Sequence, residues 1–244
     1  IYWSFKNKQR KMKKKLIQNK FFYYFYKILK IYRNKKPSIH YGEFGEDILI
    51  NRILKNIKTG RYVDVGCYHP FKGSLTVQLY KRGWRGINID LSKSSIDLFN
   101  LVRKKDINLN IAVSDFNGQT NYFENSPINQ QNSLIKSDDN QKMIKTDCKN
   151  LNFILGENKF EKFEYLNIDV EGNENNVIKG IDFSKYRPIL ITVENNNLHI
   201  KDYMQSEVYK ILTGNNFTFI GKIGVTNFFL DNENAKNFQK LISI

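Results

Sequence analysis

From Tyr41 onward the apolar positions switch repeatedly between two periods. Ile48, Leu49, Ile53, Leu54 and Ile57 recur at three- and four-residue spacing, which predicts a helix over residues 46–57 with a stop at Gly60. Short runs rich in β-branched residues at 62–65, 86–90, 110–113, 163–169 and 189–194 read as strands. Between them, helical spacing is read at 74–82, 94–104, 174–179 and 204–212. Strands that alternate with helices build a parallel sheet, because each connection must cross over and its helix then covers a face. Residues 217–220 and 226–230 read as a closing hairpin. The pattern therefore predicts an α/β, Rossmann-like fold with a mostly parallel sheet and helices on both faces. A polar, Asn- and Gln-rich stretch at 117–147 interrupts it and reads as a disordered insertion or a substrate-side flap, with extra strands at 120–123 and 143–146. No internal repeat is visible.

Length and composition suit one well-filled core: 244 residues, 41% apolar. A net charge of +15 suggests nucleic acid or an anionic membrane until its location is known. Residues 1–36 hold thirteen Lys/Arg and no Asp/Glu, so 26 basic residues face 24 acidic ones from Pro37 onward. The chain is accordingly divided into a basic aromatic segment, 1–36, and a domain, 37–244, with Pro37 ending the segment. A domain so nearly balanced argues against nucleic acid as partner and against the rival reading of a nucleic-acid-binding module with a vestigial cofactor site.

The segment joins Lys11, Lys13, Lys14 and Lys15 to the run Phe21-Phe22-Tyr23-Tyr24-Phe25-Tyr26 and then to Ile28, Leu29, Ile31 and Tyr32. Two placements fit it: a helix in a membrane interface, or a solvated arm whose helix packs its aromatic side on the domain or on a second subunit, as in a homo-oligomer. No apolar run approaches the roughly 18 to 20 residues that span a bilayer, since Lys27 and Lys30 interrupt the longest one. Cys67 and Cys148 form no disulfide framework or zinc spacing and fit a reducing compartment. The expected location is cytoplasmic, at the inner membrane surface if the segment is interfacial. Ile1 is compatible with a start inside a longer gene product.

In an open parallel sheet ligands bind beyond the carboxyl ends of the strands. Four such ends carry polar residues. At 63–70, Asp64 precedes Gly66, whose missing side chain lets a ligand approach, and Cys67 and His69 follow. Asp90 ends the next strand, placed to accept both hydroxyls of a ribose. A lone glycine rather than G-x-G-x-x-G disfavours a dinucleotide and leaves an adenosine without phosphates as the better fit. At 166–174, Asp169, Glu171 and Glu174 crowd three carboxylates into six residues, which calls for a cation, a raised pKa or a set of donors. The plain alternative there is a helix cap by Asn173 with the acids at the positive helix end. Glu194 ends the last parallel run and either faces the same cleft or caps a turn.

The ordered series Gly45-Glu46-Asp47, Tyr62-Val63-Asp64-Val65-Gly66, Pro70, Ser74-Leu75-Thr76, Gly83-Trp84-Arg85-Gly86-Ile87-Asn88-Ile89-Asp90, Ile111-Ala112-Val113-Ser114-Asp115, Ile168-Asp169-Val170-Glu171-Gly172-Asn173-Glu174, Gly180 and Arg187-Pro188 with Glu194 resembles the FkbM-type methyltransferases that use S-adenosylmethionine. The resemblance runs from about Tyr41 to Leu230 and implies a class I methyltransferase fold with a seven-stranded sheet. It also implies O-methylation of a saccharide, a nucleotide-activated sugar or a surface-glycan precursor, with a lipid or secondary metabolite as the alternative acceptor. Carried over by position, it implies cofactor contacts from Glu43, Asp64, Gly66, Cys67, Ser74, Thr76, Asp90, Leu91, Ala112, Val113 and Asp169. Gly42-Glu43 stands where the family usually has Ser-Gln, and Cys67 where it usually has alanine.

The chemistry needs acceptor oxygen, methyl carbon and sulfur in line, and a base for the hydroxyl. Candidate bases are His69, Asp169, Glu171, Glu194 and His199. A divalent metal held by Asp169, Glu171 and Glu194 is the alternative way to acidify the hydroxyl. The residues leave these routes open.

Overall fold

A computed structural model of the chain describes residues 19–33, 39–124, 132–136, 141–196 and 199–235. The lysine cluster at 11–15 and the boundary at Pro37 lie outside the described residues. Contacts divide the chain between Ile39 and His40.

On the amino-terminal side, α1 (Lys20–Arg33) is opened by Asn19, whose side-chain oxygen accepts the Phe21 N–H at 3.0 Å. From His40 onward a mixed α/β architecture with a large, mostly parallel sheet is built in chain order. Its first elements are α2 (Glu46–Ile53), β1 (Arg61–Val65), α3 (Val77–Lys81), β2 (Arg85–Ile89), α4 (Lys93–Val102) and β3 (Ile107–Leu109). Next come β4 (Ala112–Val113), β5 (Gly118–Glu124), β6 (Lys142–Lys149), α5 (Leu151–Glu157), β7 (Tyr165–Ile168), α6 (Glu174–Lys179) and β8 (Leu190–Glu194). The last are α7 (Ile200–Tyr203), α8 (Glu207–Gly214), β9 (Phe217–Ile223), β10 (Thr226–Asp231) and α9 (Asn232–Ala235).

The large sheet runs β3-β2-β1-β7-β8-β10-β9. Its first five strands pair parallel, and β10 pairs antiparallel with both β8 and β9. Alternation along the strands sorts the core. Val63, Val65, Ile87, Ile89, Leu166, Ile168, Ile191 and Val193 pack on one face with Leu151, Ile154 and Leu155 of α5 and Val177 and Ile178 of α6. Tyr62, Tyr165, Leu190, Phe228 and Leu230 pack on the other with Ile50 and Ile53 of α2, and with Leu79 and Trp84. Both faces are thus closed to water, as continuous apolar strands require. β1 is flanked by β2 on one side and β7 on the other, so the chain reverses its direction of travel across the sheet there. A crevice opens beyond the carboxyl end at such a switch point.

Several elements differ from the sequence expectation. α2 stops at Ile53 because the Arg82 guanidinium takes the carbonyls of Leu54 (3.0 Å) and Ile57 (2.7 Å), which a further helical turn would need. The third strand of the large sheet is residues 107–109 rather than 110–113: Asn110 donates to the carbonyls of Asp90 and Leu91 and turns the chain out. Ala112–Val113 instead joins a separate sheet of order β4-β6-β5, built from the stretch read as an insertion. α5 was unforeseen; Asn150 caps it by accepting the Phe153 N–H at 2.8 Å. The helix read at 204–212 starts later, as α8 at Glu207, where Ser206 accepts from Tyr209 N–H, and the separate short α7 precedes it.

Candidate functional site

Beneath the switch point one polar residue per strand lies at matching register: Asn88 of β2, Asp64 of β1, Asn167 of β7 and Thr192 of β8. All four are buried. Asn167 donates to Asp64 Oδ1 at 2.9 Å and Thr192 donates to Asn167 Oδ1 at 2.7 Å, so the rung is bonded across three strands. The other Asp64 oxygen accepts from Thr76 Oγ1 at 2.7 Å. Burial raises the Asp64 pKa, against the lowering effect of these bonds and of the Arg103 charge.

Arg103, 1% exposed, joins this rung to the loop after β1. One terminal nitrogen donates to Thr76 Oγ1 (2.7 Å) and Tyr62 OH (3.2 Å), and the other to the Pro70 carbonyl (2.7 Å) and Ser74 Oγ (2.9 Å). The guanidinium thereby fixes residues 70–76 over the sheet. This also explains why α3 begins only at Val77: Ser74 and Thr76 are engaged in the network instead of a helical turn.

The cavity above has a volume of about 220 Å³. Its floor is Gly66, Cys67 and the end of β2. Gly66 adopts φ +81°, and a Cβ there would lie 1.5 Å from the Asp169 carbonyl oxygen, so the bare Cα is demanded by the adjoining end of β7 as well as by any ligand. Asp90 lines the cavity and accepts Tyr68 N–H (2.8 Å) and Ser92 N–H (2.7 Å), one on each oxygen. Burial pushes its pKa up to about 6 in spite of those two bonds. Glu43 reaches the cavity because the Gly45-Glu46-Asp47 motif folds the preceding loop back: Asp47 accepts from Tyr41 N–H (2.9 Å) and Gln78 Nε2 (2.7 Å), and Glu46 from Phe44 N–H (2.9 Å).

Asp169, Glu171 and Glu194 form the far wall, each offering a carboxylate oxygen within 4.8 Å of the others. Burial raises the Asp169 pKa well above its ordinary value, and the hydrogen bond and charge of Glu194 and the charge of Glu171 add to the rise. Glu171 is raised by burial and then by the charges of Glu194 and Glu174. Burial and crowding thus favour the protonated form of Asp169, and the cluster gains from any cationic ligand; a divalent metal or a sulfonium answers to that description. Glu171 sits at φ 54° and Tyr68 at φ 49°, left-handed conformations costly for such side chains, and both residues line this cavity. Asn173 stands at the N-cap position of α6 but makes no side-chain cap bond: its amide donates to the Val113 carbonyl at 3.0 Å, while Glu174 accepts the N–H of Gly172 in the preceding turn at 2.9 Å.

A second cavity of about 390 Å³ adjoins the first. Glu171 and Glu194 line both.

Of the residues singled out from sequence, Glu43, Asp64, Gly66, Cys67, Ser74, Asp90, Leu91, Val113, Asp169, Glu171 and Glu194 come together around the first cavity. Thr76 and Ala112 stand behind the wall, Thr76 on Asp64 and Ala112 paired with Cys148. His69 is outside the lining; its Nδ1 accepts the N–H groups of Phe71 and Lys72, both at 3.0 Å, and so holds its own loop. Burial and the charges of Lys72 and Arg103 lower its pKa. His199 lies immediately before α7, also outside both linings. Sequence reading missed Arg103, the first of three consecutive basic residues at the end of α4, and Asn132. The latter lines the cavity with its amide buried and without a partner among the described residues. Ser133 beside it donates to the Glu171 carbonyl at 2.8 Å and pairs with Phe123, which ties this part of the polar stretch to the acidic wall.

No curated protein matches the chain. The family described as the methyltransferase FkbM domain matches residues 64–219, which runs from Asp64 of the buried rung to Phe219 of β9 and takes in Asp90 and all three wall carboxylates. With more than half its length matched, and with the cavity at the switch point of the sheet, the chain belongs to the FkbM methyltransferase family and is a methyltransferase.

Proposed function

We propose that the protein transfers a methyl group from S-adenosylmethionine to a hydroxyl of a saccharide, such as a nucleotide-activated sugar or a glycan precursor, on a class I methyltransferase fold. The observation that carries this reading is the shared wall: Glu171 and Glu194 line both the cavity headed by Asp90 and the cavity beside it. Acids between two sites are placed to act on whatever passes from one to the other.

The residues fit the cofactor. Asp90 keeps lone pairs for two ribose hydroxyls beyond the two backbone N–H groups it already accepts. Asn132 offers an unspent donor and acceptor. Three crowded carboxylates favour a cationic group, which a sulfonium is. Asp90 would hold the cofactor's ribose with Asp169, Glu171 and Glu194 facing its sulfonium, and the group would supply an electrophilic methyl with a neutral thioether as leaving group. The protein aligns the reactants, which is worth roughly 7 to 11 kcal/mol when geometry is good, and removes the hydroxyl proton to a wall carboxylate. The second cavity presents Glu174, Asn175, Asn195, Asn196 and Ser206, a set of hydrogen-bonding groups suited to a polyhydroxylated acceptor. A mass-shift screen of sugar nucleotides and free glycans, run with cofactor, tests the acceptor class: a gain of one methyl on a sugar supports it, and gain only on lipids or aromatic metabolites rejects it.

Asp90 gives a pH-dependent expectation. Ribose hydroxyls donate to the ionised carboxylate, so binding favours the charged form, and protonation at a pKa of about 6 opposes it. Cofactor affinity should be flat above that pH and fall below it by up to about tenfold per unit. Asp90→Ala should weaken binding by about 1.5 to 3 kcal/mol, and Asp90→Asn should abolish the pH slope. Calorimetry across the range checks both, and an unchanged affinity and slope in folded variants removes Asp90 from the cofactor site.

A further inference from the structure

We propose that α1 is a docking element for an anionic membrane surface, lying along the lipid interface with its apolar side down. At 100° per residue, positions 21, 22, 24, 25, 28, 29, 31 and 32 of this helix fall on one half of its circumference, and every one is aromatic or aliphatic. The other half carries the four basic positions 20, 27, 30 and 33, with Tyr23 and Tyr26. The apolar half is uncovered where its side chains are described: Phe21 is 74% exposed, Tyr24 57%, Phe25 53% and Leu29 52%. A continuous apolar strip of this kind is not left in water without a partner.

The charge names the partner. Residues 1–36 hold thirteen Lys/Arg and no acidic residue, so the surface this segment seeks is anionic. A second copy of the same helix would bring two such unopposed charges together, with no carboxylate in either segment to pair them. RNA or DNA would want rings and cations on one side, to stack on bases while gripping phosphates. Here five of the seven rings lie on the side away from the cations, and only Tyr23 and Tyr26 share the basic half. A lipid interface uses both at once, since the apolar side enters the acyl boundary while lysines and tyrosines stand among the headgroups. Fourteen residues span about 21 Å, short of the bilayer core, and no helix among the described residues is long and apolar enough to cross a membrane. The helix therefore lies on the surface.

Co-sedimentation of the full chain with vesicles tests this. Binding is expected to phosphatidylcholine vesicles containing phosphatidylglycerol, not to phosphatidylcholine alone, and should weaken as salt rises. The triple variant Phe21→Ser/Phe25→Ser/Leu29→Ser should lose at least about tenfold in affinity through lost apolar burial. Lys20→Gln/Lys27→Gln/Lys30→Gln should lose roughly fivefold per charge removed. Helical content and thermal midpoint, measured on each variant, separate lost docking from lost folding. Failure of the unaltered chain to bind the anionic vesicles overturns the proposal. So does full binding by the serine variant, which would reduce the effect to simple charge attraction. Tight binding of a homopolymeric RNA with no vesicle binding, or a dimer that the serine variant dissolves with no vesicle binding, also overturns it.

Discussion

Arg103→Met is expected to cost about 3 to 5 kcal/mol of stability, the range for removing one partner from a buried charged network. The side chain is buried and its two terminal nitrogens satisfy Tyr62, Pro70, Ser74 and Thr76, while its plane lies over Phe99 at 4.8 Å and Tyr80 at 5.4 Å. Methionine preserves much of the packing but no donor, so the Pro70 carbonyl and three hydroxyls lose bonds in a site closed to water. Asp64 also loses the positive charge that offsets its burial. Lysine should not restore the loss, because a point charge cannot reach acceptors fanned across a loop and a sheet as a planar fork does. Urea denaturation measures the effect. Arg103→Met with Asp64→Asn should cost less than the sum of the two singles, since the second change removes the charge the first leaves stranded. A loss under about 1 kcal/mol for Arg103→Met would show that the loop is held by something else.

The wall carboxylates carry the other large expectation. Asp169→Asn and Glu171→Gln should lower single-turnover rate by about 10² to 10⁴-fold, the range for loss of a general base or the group that poises it, with a far smaller loss of cofactor affinity because two of the three carboxylates remain. Stability should move the opposite way. Both groups have pKa values raised in the folded state, so the native protein binds their protons more readily than the unfolded chain does. Stability then falls as pH rises from the unfolded carboxylate range through the raised values, and at neutral pH each ionised acid costs folding energy. The neutral amides remove that cost, so thermal midpoints should equal or exceed the parent's above that range and show no gain well below it. The rate should rise with pH as Asp169 loses its proton, since a base must be ionised before it can accept the hydroxyl proton. Near-normal turnover in both variants would sink the catalytic assignment. A chelator separates the metal alternative: loss of the parent's activity on chelation, restored by a divalent ion, would move the role from proton acceptor to ligand set.

The legible features of this chain were local ones. Short runs rich in β-branched residues revealed β1, β2 and β8, because both faces of a parallel sheet are buried and the runs stay largely apolar. Asp90 was found by its distance from Gly66, and the acids at 169–174 by their crowding, both properties of a short stretch of sequence. Arg103 was hidden because its bonds reach back 27 to 41 residues to Thr76 and Tyr62. Asp64, read as a cofactor contact, lines the cavity, and its two oxygens also accept from Asn167 and Thr76 in the buried rung. A polar residue near the middle of four apolar strands was the available signal; register, which aligns Asn88, Asp64, Asn167 and Thr192, is set only when the sheet forms. β4 has two residues and α5 seven, too few for either period to stand out. His69 drew attention as a candidate base just after Gly66 and Cys67, and only the folded loop shows that its ring accepts the N–H groups of Phe71 and Lys72.

The most direct test of the central claim is transfer of an isotopically labelled methyl group from S-adenosylmethionine to a panel of sugar nucleotides and glycans, followed by mass spectrometry of the products. One labelled methyl per sugar, in an alkali-stable ether and absent with Asp169→Asn, is the predicted result. Cofactor that binds and turns over onto no hydroxyl of any saccharide, or label that appears only in an alkali-labile ester, would contradict it.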